Sequence, residues 1–86
     1  MKKAIRFTAK WCQPCKNYEQ QWQTVAESRD DWEFIVIDVD SDPEKAAKYS
    51  IKNIPCTVFE DSDEIIFRET GIINSNELNN KLDSFV

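Results

Sequence analysis

The stretch "AIRFTAKWCQPCKNYEQQWQTVAES", residues 4–28, changes its apolar period halfway along, and that change decides the fold. From Ala4 to Thr8, Ile5 and Phe7 stand among short β-compatible residues, which predicts a strand. From Pro14 to Ser28, Cys15, Tyr18, Trp22, Val25 and Ala26 recur at helical spacing. Pro14 suits the first turn of that helix, where its missing N–H is no loss. Between strand and helix stand Cys12 and Cys15, three positions apart.

Working outward, "WEFIVIDVD" (residues 32–40) is a nearly continuous apolar run of strand length, the pattern of a strand covered on both faces. "DSDPEKAAKYS" (residues 40–50) opens a short helix, with Asp42 as N-cap and Pro43 as its first residue. "PCTVFE" and "EIIFRE" are two further strands joined by "DSD", a hairpin turn without glycine. In "NSNELNNKLDSFV", Asn74 precedes Glu77 by three, a variant of the capping box, and Leu78, Leu82 and Phe85 form the apolar stripe. The predicted class is therefore α/β in the order β-α-β-α-β-β-α, the first two strands parallel and the last two an antiparallel hairpin. Eighty-six residues suffice for one core, so residues 1–86 are expected to form a single domain.

The chain is 41% hydrophobic and 31% charged, an ordinary globular balance. Its net charge of −5 argues against nucleic acid as a partner, because phosphate binding needs clustered Lys and Arg. No apolar run approaches the roughly 18 residues of a membrane span, so no membrane association is expected. Arg6 and Lys10 interrupt "MKKAIRFTAKW" before any apolar leader core forms, which predicts a protein retained in the cytoplasm. Lys2, Lys3, Arg6, Lys10 and Lys16 gather near the cysteines, either as a solvated surface or as a positive field that favours thiolate.

Three uses of Cys12 and Cys15 compete. A structural metal site needs four ligands, and the chain offers these two, a lone Cys56 and no histidine; no metal and no cofactor are expected. As a staple the pair is inefficient. Closing a ring of about four residues is worth about 2 kcal/mol, against roughly 4 for the loop of some forty that Cys56 makes available. Redox chemistry fits the spacing. A cysteine just before a helix meets unpaired N–H groups and the helix dipole, which stabilise a thiolate, and the second lies one turn on along the same face. A Cys-x-x-Cys opening a helix within a βαβ pattern is a redox signature.

"AKWCQPCK" resembles the active-site segment of the thioredoxin family, usually Trp-Cys-Gly-Pro-Cys-Lys. "DVDSDP", Ile54-Pro55 and Thr70-Gly71 match the family in order, and the resemblance runs over essentially the whole chain. It starts late, without the family's usual first strand and helix, as in a short, minimal form. The resemblance implies a thioredoxin fold with a four-stranded mixed sheet flanked by three helices. It further implies a monomeric protein-disulfide reductase that acts on disulfide-containing proteins and is recharged by a thioredoxin reductase or another dithiol donor. Cys12 is then the nucleophile and Cys15 the resolving thiol. Trp11 shields the pair, Ile54 offers its backbone to substrate beside a cis Pro55, and Thr70, Gly71 and Ile72 complete an apolar groove. Gly71 is the chain's only glycine, which points to a backbone conformation or a close approach that a Cβ forbids.

The departures lie at tuning positions. Arg6 occupies the place of the family's buried acid, six residues before the nucleophile. A buried guanidinium is costly unpaired, so Arg6 is expected to reach solvent or to pair with Asp38 or Glu60, and to favour the Cys15 thiolate. Gln13 replaces the usual glycine between the cysteines, while Pro14 and Lys16 match. Cys56, directly after Pro55, reads either as a small buried strand residue or as a third redox thiol. Three rival functions stand beside the reductase: a glutaredoxin-like, glutathione-dependent activity, a binding module in which the cysteines are incidental, and a dimeric iron–sulfur or zinc carrier. Glutaredoxins usually carry proline directly after the first cysteine and a late Gly-Gly pair, and this chain has neither.

Overall fold

The computed structural model describes residues 1–85, so Val86, the end of the expected final helical stretch, lies outside the described residues. Among these, seven elements follow in the expected order: β1 (Lys2–Thr8), α1 (Gln13–Ser28), β2 (Glu33–Asp38), α2 (Pro43–Lys48), β3 (Cys56–Asp61), β4 (Glu64–Thr70) and α3 (Ser75–Ser84). The strands form one mixed sheet in the order β2-β1-β3-β4. β1 runs parallel to β2, from Lys3 opposite Glu33 to Thr8 opposite Asp38, and antiparallel to β3, from Lys2 opposite Asp61 to Phe7 opposite Cys56. The β3–β4 hairpin turns through Ser62 and Asp63 at φ 51° and 68°, the positive values a two-residue hairpin loop demands, met here without glycine.

Because strand side chains alternate, β1 feeds two cores. Ala4 joins Tyr18, Trp22, Val25, Trp32, Phe59, Ile73, Leu78 and Leu82 beneath α1 and α3. Ile5 and Phe7 join Ile37, Tyr49, Cys56 and Val58 on the opposite side, where Tyr49 closes α2. Each fully buried Leu, Val or Phe contributes about 1.5–3 kcal/mol, so these two layers hold the sheet between its helices. Trp22 and Trp32 are core residues, as expected.

The helix ends are fixed locally. Asp42 accepts from the Lys45 N–H at 3.2 Å and Asn74 from the Glu77 N–H at 2.9 Å. The capping box is a variant indeed, since Glu77 Oε1 accepts from the Asn74 side-chain amide at 2.9 Å. After α1, Arg29 pairs with Asp31 at 2.7 Å and Asp83 at 2.8 Å and donates to Asn79 Oδ1 at 3.1 Å, tying the end of α1 to α3.

The run at residues 32–40 yields a shorter strand at the sheet edge, β2, Glu33–Asp38. Both of its faces carry packed residues, as expected: Phe34 lies against the core beneath α1, and Ile35 and Ile37 join the core on the α2 side. Val36, on the same face as Phe34, is left 49% exposed.

Candidate active site

The site is assembled where β1 ends and α1 begins. The Cys12 N–H donates to Ala9 O at 3.2 Å, closing the turn, and Cys12 takes the N-cap position with extended φ and ψ of −92° and 107°. Its sulfur stands where an N-cap oxygen usually sits and accepts the Cys15 N–H at 3.2 Å. Cys12 and Cys15 are disulfide-bonded, with Cα atoms 5.2 Å apart. Both are buried with Ala9 in a small cluster, against which Val39 and Ile54 pack. The three intervening and following side chains, Gln13, Pro14 and Lys16, are exposed. An N–H aimed at Sγ and the positive end of α1 favour negative charge on Cys12 when the bond is reduced.

Around this pair the chain raises a rim. Trp11 is 70% exposed, and its Nε1 donates to Asp40 Oδ2 at 2.8 Å. Ile54 O lies 4.0 Å from Cys12 Sγ, and the Ile54–Pro55 peptide bond is cis. The Gly71 N–H donates to Pro55 O at 2.8 Å, which brings Thr70, Gly71 and the 47%-exposed Ile72 alongside. Trp11 and Ile54 also line a cleft of about 120 Å³ with Val39, Ala46, Ile51 and Lys52. At Gly71 one of two readings is settled: φ is +102°, a conformation L-residues avoid, but a Cβ there meets nothing within 4 Å. No close approach within the chain requires the glycine, whereas its backbone conformation does.

Arg6 departs from expectation. It is 5% exposed, and its Nε is buried without a hydrogen-bond partner. Neither expected carboxylate serves it: Glu60 Oε1 accepts from the Tyr49 hydroxyl at 2.6 Å, and Asp38 Oδ1 accepts the N–H groups of Asp40 and Ser41. The alternation of β1 instead sends Arg6 toward α1, with its guanidinium carbon 5.9 Å from the Tyr18 ring and 5.7 Å from the Trp22 ring. Burial pulls its pKa below the ordinary value, and Glu19 and Tyr18 oppose that. The Tyr18 hydroxyl shares a hydrogen bond of 2.7 Å with Thr57 Oγ1, and burial pushes its pKa up to about 12. Arg6, Thr8, Ala9, Lys10, Lys16, Glu19, Val36 and Asp38 line an open pocket of about 520 Å³.

Cys56 is a free, buried thiol opposite Thr70 in the sheet. It packs among Ile5, Phe7 and Val58 rather than within the Cys12–Cys15 cluster, and burial pushes its pKa up. Asp40 was missed from sequence, although "DVD" at the end of β2 was a usable signal. With Thr8 opposite Asp38, three residues beyond β1 and two beyond β2 bring Trp11 and Asp40 together. Among the described residues, no three cysteine or carboxylate side chains gather as a metal-ligand set, and no helix is long and apolar enough to cross a membrane.

A dithiol–disulfide pair at a helix N-terminus, beside a cis-proline loop, supports the class of thiol–disulfide oxidoreductases. The thioredoxin family model matches residues 2–84. The thioredoxin of Mycoplasmoides gallisepticum is 35% identical over 77 residues, covering 90% of this chain and 77% of that protein. Thioredoxin H8 of Arabidopsis thaliana is 33% identical over 81 residues, but the chain spans only 54% of its length. The X-ray structure of Fasciola hepatica thioredoxin superposes with a TM-score of 0.89 at 31% identity, over 96% of this chain and 79% of that one. The chain belongs to the thioredoxin family, and its four-stranded mixed sheet with three helices is the thioredoxin fold.

Proposed function

We propose that this protein reduces disulfides in other proteins by dithiol exchange through Cys12 and Cys15. The observation that carries the reading is the donation of the Cys15 N–H to Cys12 Sγ at the start of α1, in a pair that is disulfide-bonded. In the reduced form, the Cys12 thiolate attacks one sulfur of a substrate disulfide. A mixed disulfide forms, and the first substrate sulfur leaves as a thiolate that takes up a proton. Cys15 gives up its proton and attacks Cys12 Sγ, which releases the second substrate sulfur and forms the Cys12–Cys15 disulfide. Two electrons have then passed to the substrate, and a thioredoxin reductase or another dithiol donor returns them.

Trp11, Ile54, Pro55, Thr70, Gly71 and Ile72 serve as the docking rim. Ile54 O, 4.0 Å from the nucleophile, is placed to receive a substrate N–H. Arg6, Gln13, Pro14 and Lys16 tune the couple, and Cys56 acts as a core residue. Residues 1–86 work as one domain, a monomer in the cytoplasm. Insulin reduction driven by dithiothreitol is the test, run beside a glutathione-coupled assay. Acceleration of the first alone supports the reading. Activity only with glutathione assigns the glutaredoxin-like alternative, and biological function retained in a Cys12→Ser, Cys15→Ser variant assigns the binding module.

A further inference from the structure

The pocket of about 520 Å³ beside α1 has a floor that the described residues leave unsatisfied. Arg6 is 5% exposed and lines it, yet its Nε has no acceptor. Of the guanidinium nitrogens, Nε alone is buried without a partner, and a buried N–H group without an acceptor is uncommon in proteins. The rings of Tyr18 and Trp22, at 5.9 and 5.7 Å, attract the charge but accept no hydrogen bond along Nε–H.

The two carboxylates that share the pocket do not resolve this. Glu19 acts on Arg6 through space, but no carboxylate stands within 4.0 Å of the guanidinium among the described residues. Asp38 Oδ1 already takes the N–H groups of Asp40 and Ser41, at 2.9 and 3.2 Å. Lys10 and Lys16 add two exposed ammonium groups, so three cations face two carboxylates in a chain whose net charge is −5. Half-exposed Val36 supplies an apolar wall. The volume lies within the roughly 300–1,000 Å³ of small-molecule sites.

We propose that this pocket binds a small soluble molecule through an oxyanion group, carboxylate or phosphate, that accepts from Arg6 at the floor and is flanked by Lys10 and Lys16. A planar guanidinium suits either group, because both present acceptor oxygens to its N–H donors. The site is distinct from the docking rim of Trp11 and Ile54, and its occupancy does not depend on exchange activity.

The test is an NMR titration of the oxidised, ¹⁵N-labelled full chain with inorganic phosphate and, separately, with acetate, sodium chloride holding the ionic strength constant. Saturable shifts of the Arg6 Nε–H and of the Ala9, Lys10, Lys16 and Glu19 amides are expected. Saturation by phosphate alone or by acetate alone assigns the group, and saturation by both assigns oxyanions generally. Arg6→Met should weaken binding about tenfold or more, the scale of one charge-assisted hydrogen bond. Lys10→Ala with Lys16→Ala, at two exposed positions, should weaken it several-fold and keeps the proposal testable if Arg6→Met fails to fold. Shifts that stay linear with both anions, that survive Arg6→Met unchanged, or that map elsewhere overturn it.

Discussion

In front of the cysteine pair, Trp11 Nε1 and the Gly71 N–H each meet an acceptor at 2.8 Å, although Trp11 and Ile72 are exposed. Behind the pair, Arg6 is 5% exposed and its Nε meets none. The contrast separates two kinds of constraint. Where water is an alternative partner, a hydrogen bond contributes about 0.5–1.5 kcal/mol and chiefly fixes position. Where water is excluded, the same groups carry larger energies in either direction. Chemistry is thus expected to fail when the front is altered, and stability to move when the back is.

The largest effect tests the front. Cys12→Ser should lower insulin reduction to the rate of dithiothreitol alone, while the unfolding free energy of the reduced protein, read from urea melts, changes by only about 1 kcal/mol, the scale of one hydrogen bond at the N-cap. Cys15→Ser should instead accumulate a mixed disulfide at Cys12, visible by mass spectrometry. A Cys12→Ser protein that still turned over would remove the nucleophile from the proposal.

The next effect belongs to the back. Burial raises Tyr18 from 10.0 to about 12 and, together with its bond to Glu60, raises Tyr49 to about 12. A group whose folded pKa is raised ionises first in the unfolded chain, so its stabilisation is complete below the unfolded value and disappears as pH rises through the folded one. Unfolding free energy should therefore fall between pH 10 and 12, the Tyr18 share being about 2–3 kcal/mol. Cys56 adds a loss of the same sign that begins as pH passes the ordinary thiol pKa and continues toward its raised folded value. Tyr18→Phe should flatten the Tyr18 part of that fall, at a cost of about 1 kcal/mol near neutrality for the unpaired Thr57 hydroxyl. A pH profile identical to wild type would show that Tyr18 is not titrating from a buried position.

Arg6→Met sharpens the same side. Replacing a side chain whose buried Nε lacks an acceptor by an apolar one of similar length should stabilise the fold by about 1 kcal/mol, read from urea melts. It should also raise the Cys15 thiol pKa, followed by thiolate absorbance, since a positive charge is removed from the Cys15 face of α1. Unchanged thiol pKa values and exchange rates would leave Arg6 without a tuning role.

The legible and illegible parts of the molecule follow the same division. Strand, cysteine turn, helix and caps were readable because each depends on neighbours within about four residues: Pro14 in the first turn, Asp42 before Pro43, Asn74 before Glu77. The position of β2 at the sheet edge was not readable from its apolar run, because apolar content does not say how many strands flank it. The surroundings of Arg6 were missed for a related reason. Alternation places it with Ala4, but only the packing of α1 on β1 brings Tyr18 and Trp22 to it. At Gly71 the backbone requirement was legible from a lone glycine, while the open space beside it was a tertiary fact. Gly71→Ala should accordingly cost only the left-handed strain, about 1–2 kcal/mol in a thermal or urea melt. A larger loss would mean that the Pro55–Gly71 contact carries stability and does more than hold the rim.

The smallest expected effect is the most direct comparison of front with back. Trp11 is 70% exposed, so its ring buries little, and Trp11→Phe keeps most of what it does bury. The substitution removes the bond to Asp40, one exposed hydrogen bond at 2.8 Å, which sets the expected loss near 0.5 kcal/mol. Asp40→Asn keeps an acceptor oxygen and should cost less. If the bond acts by orientation, both variants should slow insulin reduction by a larger factor than their stability changes imply, because a freed ring no longer lies fixed beside Cys12. A double-mutant cycle separates the terms: a stability coupling above about 1.5 kcal/mol would place Trp11 and Asp40 with the buried back of the site, whereas a small stability coupling beside a clear rate effect would keep them in the positioning front.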